Sequence, residues 1–276
     1  MSRSTFRHEA MATHWEITVA GHDPEYARQA AAAAWREVDR LEDELSRFVE
    51  SSDIARANRL NRGESVAIGE DALQCLTLAA GLAEATGHAF DPAFGTQREP
   101  GASPHEPVFL LDPANHRLIS QALRLQLDLG AVGKGYALDR VGDVLREWQI
   151  SSACGHCGGS TFLALEAPEG ERGWLVGVGE DDSRREIGLT NGAVSASGIA
   201  VKGRHLIDPR TGQPASRSTR VWARAGTAAI SDALSTAFFV MTDLEIQAFI
   251  SGHAGVAAAV TTGNALVVLG SLGSDR

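Results

Sequence analysis

The chain has 276 residues, room for one large domain or two small ones, and its 43% hydrophobic and 22% charged content is that of an ordinary soluble globular protein. A formal net charge of -10 repels nucleic acid and anionic membrane, which excludes both as electrostatic partners, and an anionic substrate would need local help from a cation or from helix N-termini. No apolar run approaches the ~20 residues of a membrane span, so no membrane insertion is expected.

The first residues, MSRSTFRHEAMATHWEITVA, hold no apolar signal core and no lipid-attachment cysteine near their start, so a cytoplasmic chain is expected. Residues 11–19 read as extended, with Trp15, Ile17 and Val19 alternating. Asp23-Pro24 reads as the N-cap and first turn of a helix. In that helix Ala27, Ala31, Ala34, Val38, Leu41, Leu45 and Phe48 recur at steps of three and four as one apolar stripe. Residues 70–86 form a second helix stopped by Gly87, and residues 96–107 form a loop rich in Pro, Gly and polar residues. Leu123, Leu125 and Leu127 alternate as a strand running into Asp128. A helix follows with Ala137, Val141, Val144, Leu145 and Trp148 on one face. Beyond Ile150 the pattern is mostly short strands, at 161–165, 174–178, 193–195, 221–224, 256–260 and 265–269. Helices around 232–241 and from Asp243 interrupt them. Helices and antiparallel-looking strands segregate, so the expected class is α+β, antiparallel sheets with packed helices.

Chemistry concentrates in three segments. In LDLGAVGKGYALD, residues 127–139, a strand ends at Asp128 and a turn with Gly130, Gly133 and Gly135 opens a helix. Glycines admit a ligand close to the backbone, the helix start attracts phosphate, and Lys134 adds positive charge. The spacing is neither Walker nor Rossmann, and a strand–turn–helix joint packed on glycines accounts for it as well. In RHLIDPRTGQP, residues 204–214, positions 208–212 are a turn by composition. His205 just before it can serve as a general base near neutral pH or simply cap the turn. In ISDALSTAFFVM, residues 230–241, Asp232, Ser235 and Thr236 fall on one helix face. They form a hard-oxygen cluster suited to Mg²⁺, or else an N-cap Asp followed by small packing residues.

Cys154 and Cys157 enclose His156 in a lone C-x-x-C, in a chain with three cysteines. The pair suits a redox function or half a zinc site, yet no second pair at ligand spacing completes such a site, and two small buried residues beside a glycine turn explain it equally.

In this order, the stretches MATHWEI, ELSRFVESSDIARANRL, GHAFDP, LDLGAVGKGYALD, GAVSASG, HLIDPRTG and SDALSTAFFVM resemble the FAD:protein FMN transferase family, the ApbE family, over residues 11–241. The resemblance implies a single ApbE-like, T-fold-like domain over 1–276 with FAD as substrate. It places Met11, Phe48, Ala89, Phe90, Asp91, Asp128, Lys134 and Leu206 along the FAD site. It gives the Mg²⁺ site to the Ala131 carbonyl with Asp232, Ser235 and Thr236, and the base that activates an acceptor threonine to His205. The implied reaction cleaves FAD, releases AMP and attaches FMN to a Thr or Ser hydroxyl of an acceptor flavoprotein. Phe48 stands where some members carry Tyr, and Ser235 where some carry Asp; the segments between Asp91 and Asp128 and between Gly198 and His205 look short for the family, and its usual lipoprotein leader is not expected here. Two alternatives of other classes stay open: an FAD-binding module without transfer, and an FAD pyrophosphatase yielding FMN and AMP.

Overall fold

A computed structural model describes residues 2–98, 106–198, 207–215, 220–262 and 265–275. The first half of the chain gives β1 (Arg3–Ala10), β2 (Thr13–Ala20), α1 (Pro24–Leu45), α2 (Asp53–Ala57), β3 (Ser65–Ala67), α3 (Glu70–Ala85), β4 (Phe109–Asp112), β5 (Arg117–Ser120) and α4 (Gly133–Glu147). The second half gives β6 (Ala153–Cys157), β7 (Thr161–Ala164), β8 (Trp174–Val178), β9 (Arg185–Leu189), β10 (Gly192–Ser197), β11 (Ile207–Asp208), β12 (Gln213–Pro214), β13 (Val221–Ala225), α5 (Ala228–Val240), α6 (Asp243–Gly252), β14 (Ala257–Thr262), β15 (Ala265–Leu269) and β16 (Ser274–Asp275). The main sheet runs β1-β2-β6-β7-β10-β13-β14-β15, and each neighbouring pair is antiparallel. The expected α+β class is the observed one. No helix among the described residues is long and apolar enough to cross a membrane.

Period-two alternation divides this sheet into two faces. Val221, Ala223, Ala258 and Val260 join the core shared with α1, α3, α4 and α5, whereas Trp222, Ala257 and Ala259 join a second core under β8 and β9. The small residues on these strands let α5 sit close, and Ser231 Oγ donates to the Ala223 carbonyl at 2.8 Å and to Ser195 Oγ at 2.9 Å.

Several local expectations hold for the reasons given. Asp23 accepts the N–H groups of Glu25 and Tyr26 with Pro24 at the first helical position, and Gly87 ends the α3 region at φ 58°. Others are corrected. Met11 lies in a two-residue turn rather than a strand, with φ 50° at Met11 and 55° at Ala12, because the hairpin β1–β2 needs a left-handed pair to match strand twist. Phe48 does not extend the α1 stripe: the helix ends at Leu45 and Phe48 is 83% exposed. Leu125 and Leu127 are buried as the alternation implies, but the only strand-like pairing of residues 123–127 among the described residues is the isolated Gln97–Arg124 bridge, so no strand forms. Cys154 and Cys157 point to opposite faces of β6 and belong to different cores, which rules out a bond between them in this fold; Gly158 and Gly159 beside them form the turn at φ 59° and 63°.

Candidate active site

The glycine-rich segment folds as a tight turn onto a helix start. Asp128 Oδ1 accepts the Gly130 N–H at 2.8 Å, and the Leu129 carbonyl accepts Val132 and Gly133 at 3.0 and 2.6 Å. The Lys134 ammonium donates to the Gly130 carbonyl, holding the cation over the turn that contains Ala131. Gly135 is a packing requirement: a Cβ there would lie 2.3 Å from the Ala228 carbonyl oxygen of α5.

That close crossing brings α5 to the turn. Thr227 caps α5, so Asp232 is not its N-cap; it lies one turn inside and is only 6% exposed. Its carboxylate accepts Thr161 Oγ1 and the Gly135 N–H, both at 3.3 Å. Burial pushes the Asp232 carboxyl up, opposed by Lys134, the Gly135 N–H and Thr161. Ser235 is fully buried; its Oγ donates to the Asp232 carbonyl at 2.8 Å and lies 2.9 Å from Ser197 Oγ. Thr236, half-buried, has its hydroxyl 3.4 Å from the same Ser197 oxygen. Ser197 and Thr161 therefore belong to this oxygen cluster although sequence reasoning did not single them out. The signal available was strand alternation in GAVSAS, which turns Ser195 and Ser197 toward α5.

Among the described residues no three His, Cys, Asp or Glu side chains form a group that could hold a metal. The donors here are instead one carboxylate and the hydroxyls of Thr161, Ser197, Ser235 and Thr236. That set does not suit Zn²⁺, but it suits Mg²⁺, which binds through one or two carboxylates, keeps waters and shares substrate phosphates.

Beside the turn lies a shallow groove of about 230 Å³ lined by Arg47, Phe48, Asn58, Arg124, Leu125 and Gln126. The Arg47 guanidinium stacks 4.6 Å from the Phe48 ring centroid and its Nη2 lies 3.3 Å from Asp128. Asn58 fixes the groove floor by bonding both the N–H and the carbonyl of Leu127, at 2.6 and 2.9 Å. The Asp128 N–H donates to the Pro92 carbonyl at 2.8 Å, which seats the segment carrying Asp91 against the turn. Asp91 Oδ1 accepts the Ala93 N–H at 2.8 Å. Ala89 and Phe90 are buried in the helix-side core. Met11 packs partly into that core, and its N–H donates to Glu42 at 2.7 Å.

His205 and Leu206 lie outside the described residues. The turn that follows them has the expected form. The Asp208 side chain accepts the Arg210 N–H at 2.9 Å, its carbonyl accepts the Gly212 N–H at 2.8 Å, and Gly212 sits at φ 69°. Arg210 then bonds Glu245 at 2.7 Å, tying this turn to α6.

A match to the ApbE family covers residues 11–260. An FAD:protein FMN transferase of Klebsiella pneumoniae (strain 342) is 24% identical over 271 residues, which is 84% of this chain and 77% of that protein. One from Treponema pallidum (strain Nichols) is 31% identical over 140 residues, 42% of this chain and 38% of that protein. The crystal structure of the ApbE protein of Thermotoga maritima superposes with a TM-score of 0.81 at 28% identity, covering 96% of each chain. The flavin transferase ApbE of Vibrio cholerae gives a TM-score of 0.81 at 19% identity, over 97% of this chain and 96% of that one. With the glycine-rich helix start, the buried Asp232 and the antiparallel fold all in the same chain, the span of the family match leaves one conclusion: the chain belongs to the ApbE family.

Proposed function

We propose that this chain is a Mg²⁺-dependent enzyme that cleaves FAD and transfers its FMN half to a Thr or Ser hydroxyl of an acceptor flavoprotein. The observation that carries this is Asp232, a buried carboxylate set against Lys134 and the start of α4, with hydroxyls around it, in a chain of the ApbE family. Relatives named FAD:protein FMN transferase support the activity.

FAD joins FMN to AMP through a pyrophosphate. The acceptor oxygen forms a bond to the FMN-side phosphorus as the bond from that phosphorus to the bridging oxygen breaks. AMP leaves and FMN remains on the protein as a phosphoester. His205 takes the hydroxyl proton. Lys134 and the positive end of α4 face the phosphate charge, and Phe48 offers a flat surface to a ring of the dinucleotide. Asp232, Ser235, Thr236 and the Ala131 carbonyl would hold Mg²⁺, which when bound supplies Lewis-acid neutralisation of the phosphate oxygens. Phosphoryl transfer depends mostly on such positioning and electrostatics.

Incubation with FAD, Mg²⁺ and a candidate acceptor tests this, with AMP measured and the acceptor examined by mass spectrometry. AMP release that requires the acceptor, with FMN on its Thr or Ser, is the expected result. AMP without acceptor makes the protein a pyrophosphatase, and saturable FAD binding without AMP makes it a binding module.

A further inference from the structure

Asp139, on α4, has no part in the chemistry above. One turn beyond Gly135, its half-buried carboxylate reaches across to α5. Oδ1 accepts the Ala228 N–H at 2.7 Å and Oδ2 accepts the Ala229 N–H at 2.9 Å. Both donors lie in the first turn of α5, where a helix has no acceptor of its own for them. The side chain of Thr227, at the cap position, accepts the Ile230 N–H at 3.4 Å and neither of these two. The start of α5 is thus held mainly by a side chain from another helix. A second link runs the opposite way, from the Gly135 N–H on α4 to Asp232 Oδ2 on α5. Asp139, the α5 start, Asp232 and Gly135 therefore close a ring of contacts around the seam where the two helices cross.

We propose that Asp139 is a positioning residue for the metal-facing carboxylate: its two-oxygen hold on the start of α5 sets Asp232 at its working distance from the Lys134 end of α4. This rests on the assignment of Asp232 to the metal. A carboxylate offers a separate acceptor oxygen to each of the two N–H groups, and that pair of contacts fixes both the approach and the rotation of the helix. The fold accepts a cost for that arrangement. Burial pushes the Asp139 carboxyl up to about 6, against the pull of the Ala229 and Ala228 N–H groups. Asp143 and Arg146 face it from its own helix, the Cys157 thiol from β6, and only backbone donors from the first turn of α5.

Asp139→Asn keeps the shape but aims an amide NH₂ at a donor. Mn²⁺ binding in the presence of FAD, followed by the electron paramagnetic resonance signal of free Mn²⁺, is the direct readout. We expect roughly tenfold weaker Mn²⁺ binding, the lower end of what outer supports of metal ligands contribute. FAD affinity without metal should be unchanged, and AMP release should recover at excess metal. Gly135→Ala wedges the same seam without touching Asp139 and should weaken Mn²⁺ binding in the same direction. Thr227→Ala removes the ordinary cap; it should lower Tm and leave Mn²⁺ affinity as in the wild type, and a merely structural Asp139 would give Asp139→Asn that same profile. If Asp232→Ala loses Mn²⁺ while folded Asp139→Asn binds it like wild type, the positioning proposal is overturned and the metal assignment stands. Should Asp139→Asn fail to fold, wild-type Mn²⁺ affinity in Gly135→Ala overturns the proposal. If Asp232→Ala itself binds Mn²⁺ like wild type, both fall.

Discussion

On the helix side of the main sheet, Asp232 is 6% exposed and its two nearest donors stand at 3.3 Å. On the opposite side, at the β1–β2–β6 end, titratable groups are more numerous and the hollow among them is larger, about 460 Å³. Those outer groups satisfy one another across the strands. Glu16 meets Arg7 at 2.7 Å and His156 at 3.4 Å, and His14 meets Glu9 at 3.2 Å. Each pair follows from the strand register, in which Arg7, Glu16 and His156 lie in one row and Glu9 faces His14. The difference teaches that neither cavity size nor density of ionisable groups locates the chemistry. A carboxylate kept buried with its charge incompletely answered does, because the fold bears a cost there that only a ligand can relieve.

The largest expected effect tests that cost directly. Asp232→Asn should abolish metal-dependent AMP release, yet the protein should melt no lower than wild type. Burial raises the Asp232 carboxyl, so above its folded pKa the charged form works against folding, and removing the charge relieves this. Calorimetry beside an activity assay at saturating Mg²⁺ checks both halves; wild-type turnover would remove Asp232 from the metal site, and a collapse in Tm would make it a structural group. His205→Ala comes next. Transfer should fall by roughly 10²–10⁴, the range for losing a general base, while FAD still binds. Unaltered turnover at full FAD occupancy would exclude His205 as the base.

Phe48→Ala should act on binding rather than on the fold. The ring is 83% exposed and its contact is the Arg47 guanidinium, so Tm should hardly move. FAD affinity, followed by flavin fluorescence, should drop by an amount corresponding to ~1–3 kcal/mol if a ring of the dinucleotide stacks there, by analogy with bases stacked on aromatic side chains. A variant with wild-type affinity would move the flavin or adenine away from this groove.

How much of this was legible in the sequence differs between the two faces for physical reasons. The helix side declared itself through periodicity and local chemistry: the α1 stripe, the cap at Asp23, the glycines before α4 and the i, i+3, i+4 set on α5. What stayed hidden there needed partners far along the chain. Ser197 and Thr161 join Asp232 only through β10 and β7. Asp139 is an ordinary helical residue until α5 arrives. The outer face was less readable. β1 is an edge strand, RSTFRHEA, with Phe6 as its one large apolar side chain, because one of its faces meets water. Phe48 misled the helix pattern since an apolar residue at the right spacing reads as core even when the helix has ended.

The smallest effect belongs to the outer face, and it completes the contrast. Arg7, chiefly by its hydrogen bond, holds the Glu16 carboxyl below its usual value, with His156 adding to the pull and partial burial opposing it. A depressed folded pKa means that the pair stabilises the fold above the unfolded pKa and that this is lost as pH falls through the folded value. Glu16→Gln should therefore cost little at neutral pH, under ~1 kcal/mol, since Arg7 is 81% exposed and water screens the pair. The difference in Tm between wild type and variant should shrink further on acidification. Transfer activity and its metal requirement should stay at wild-type values, because the sheet separates Glu16 from Asp232 and cross-strand partners already answer its charge. Parallel melts over a pH series with a metal titration of AMP release measure all of this. A changed metal requirement in Glu16→Gln would mean that the two faces are coupled through β6, and the division of labour between them would have to be abandoned.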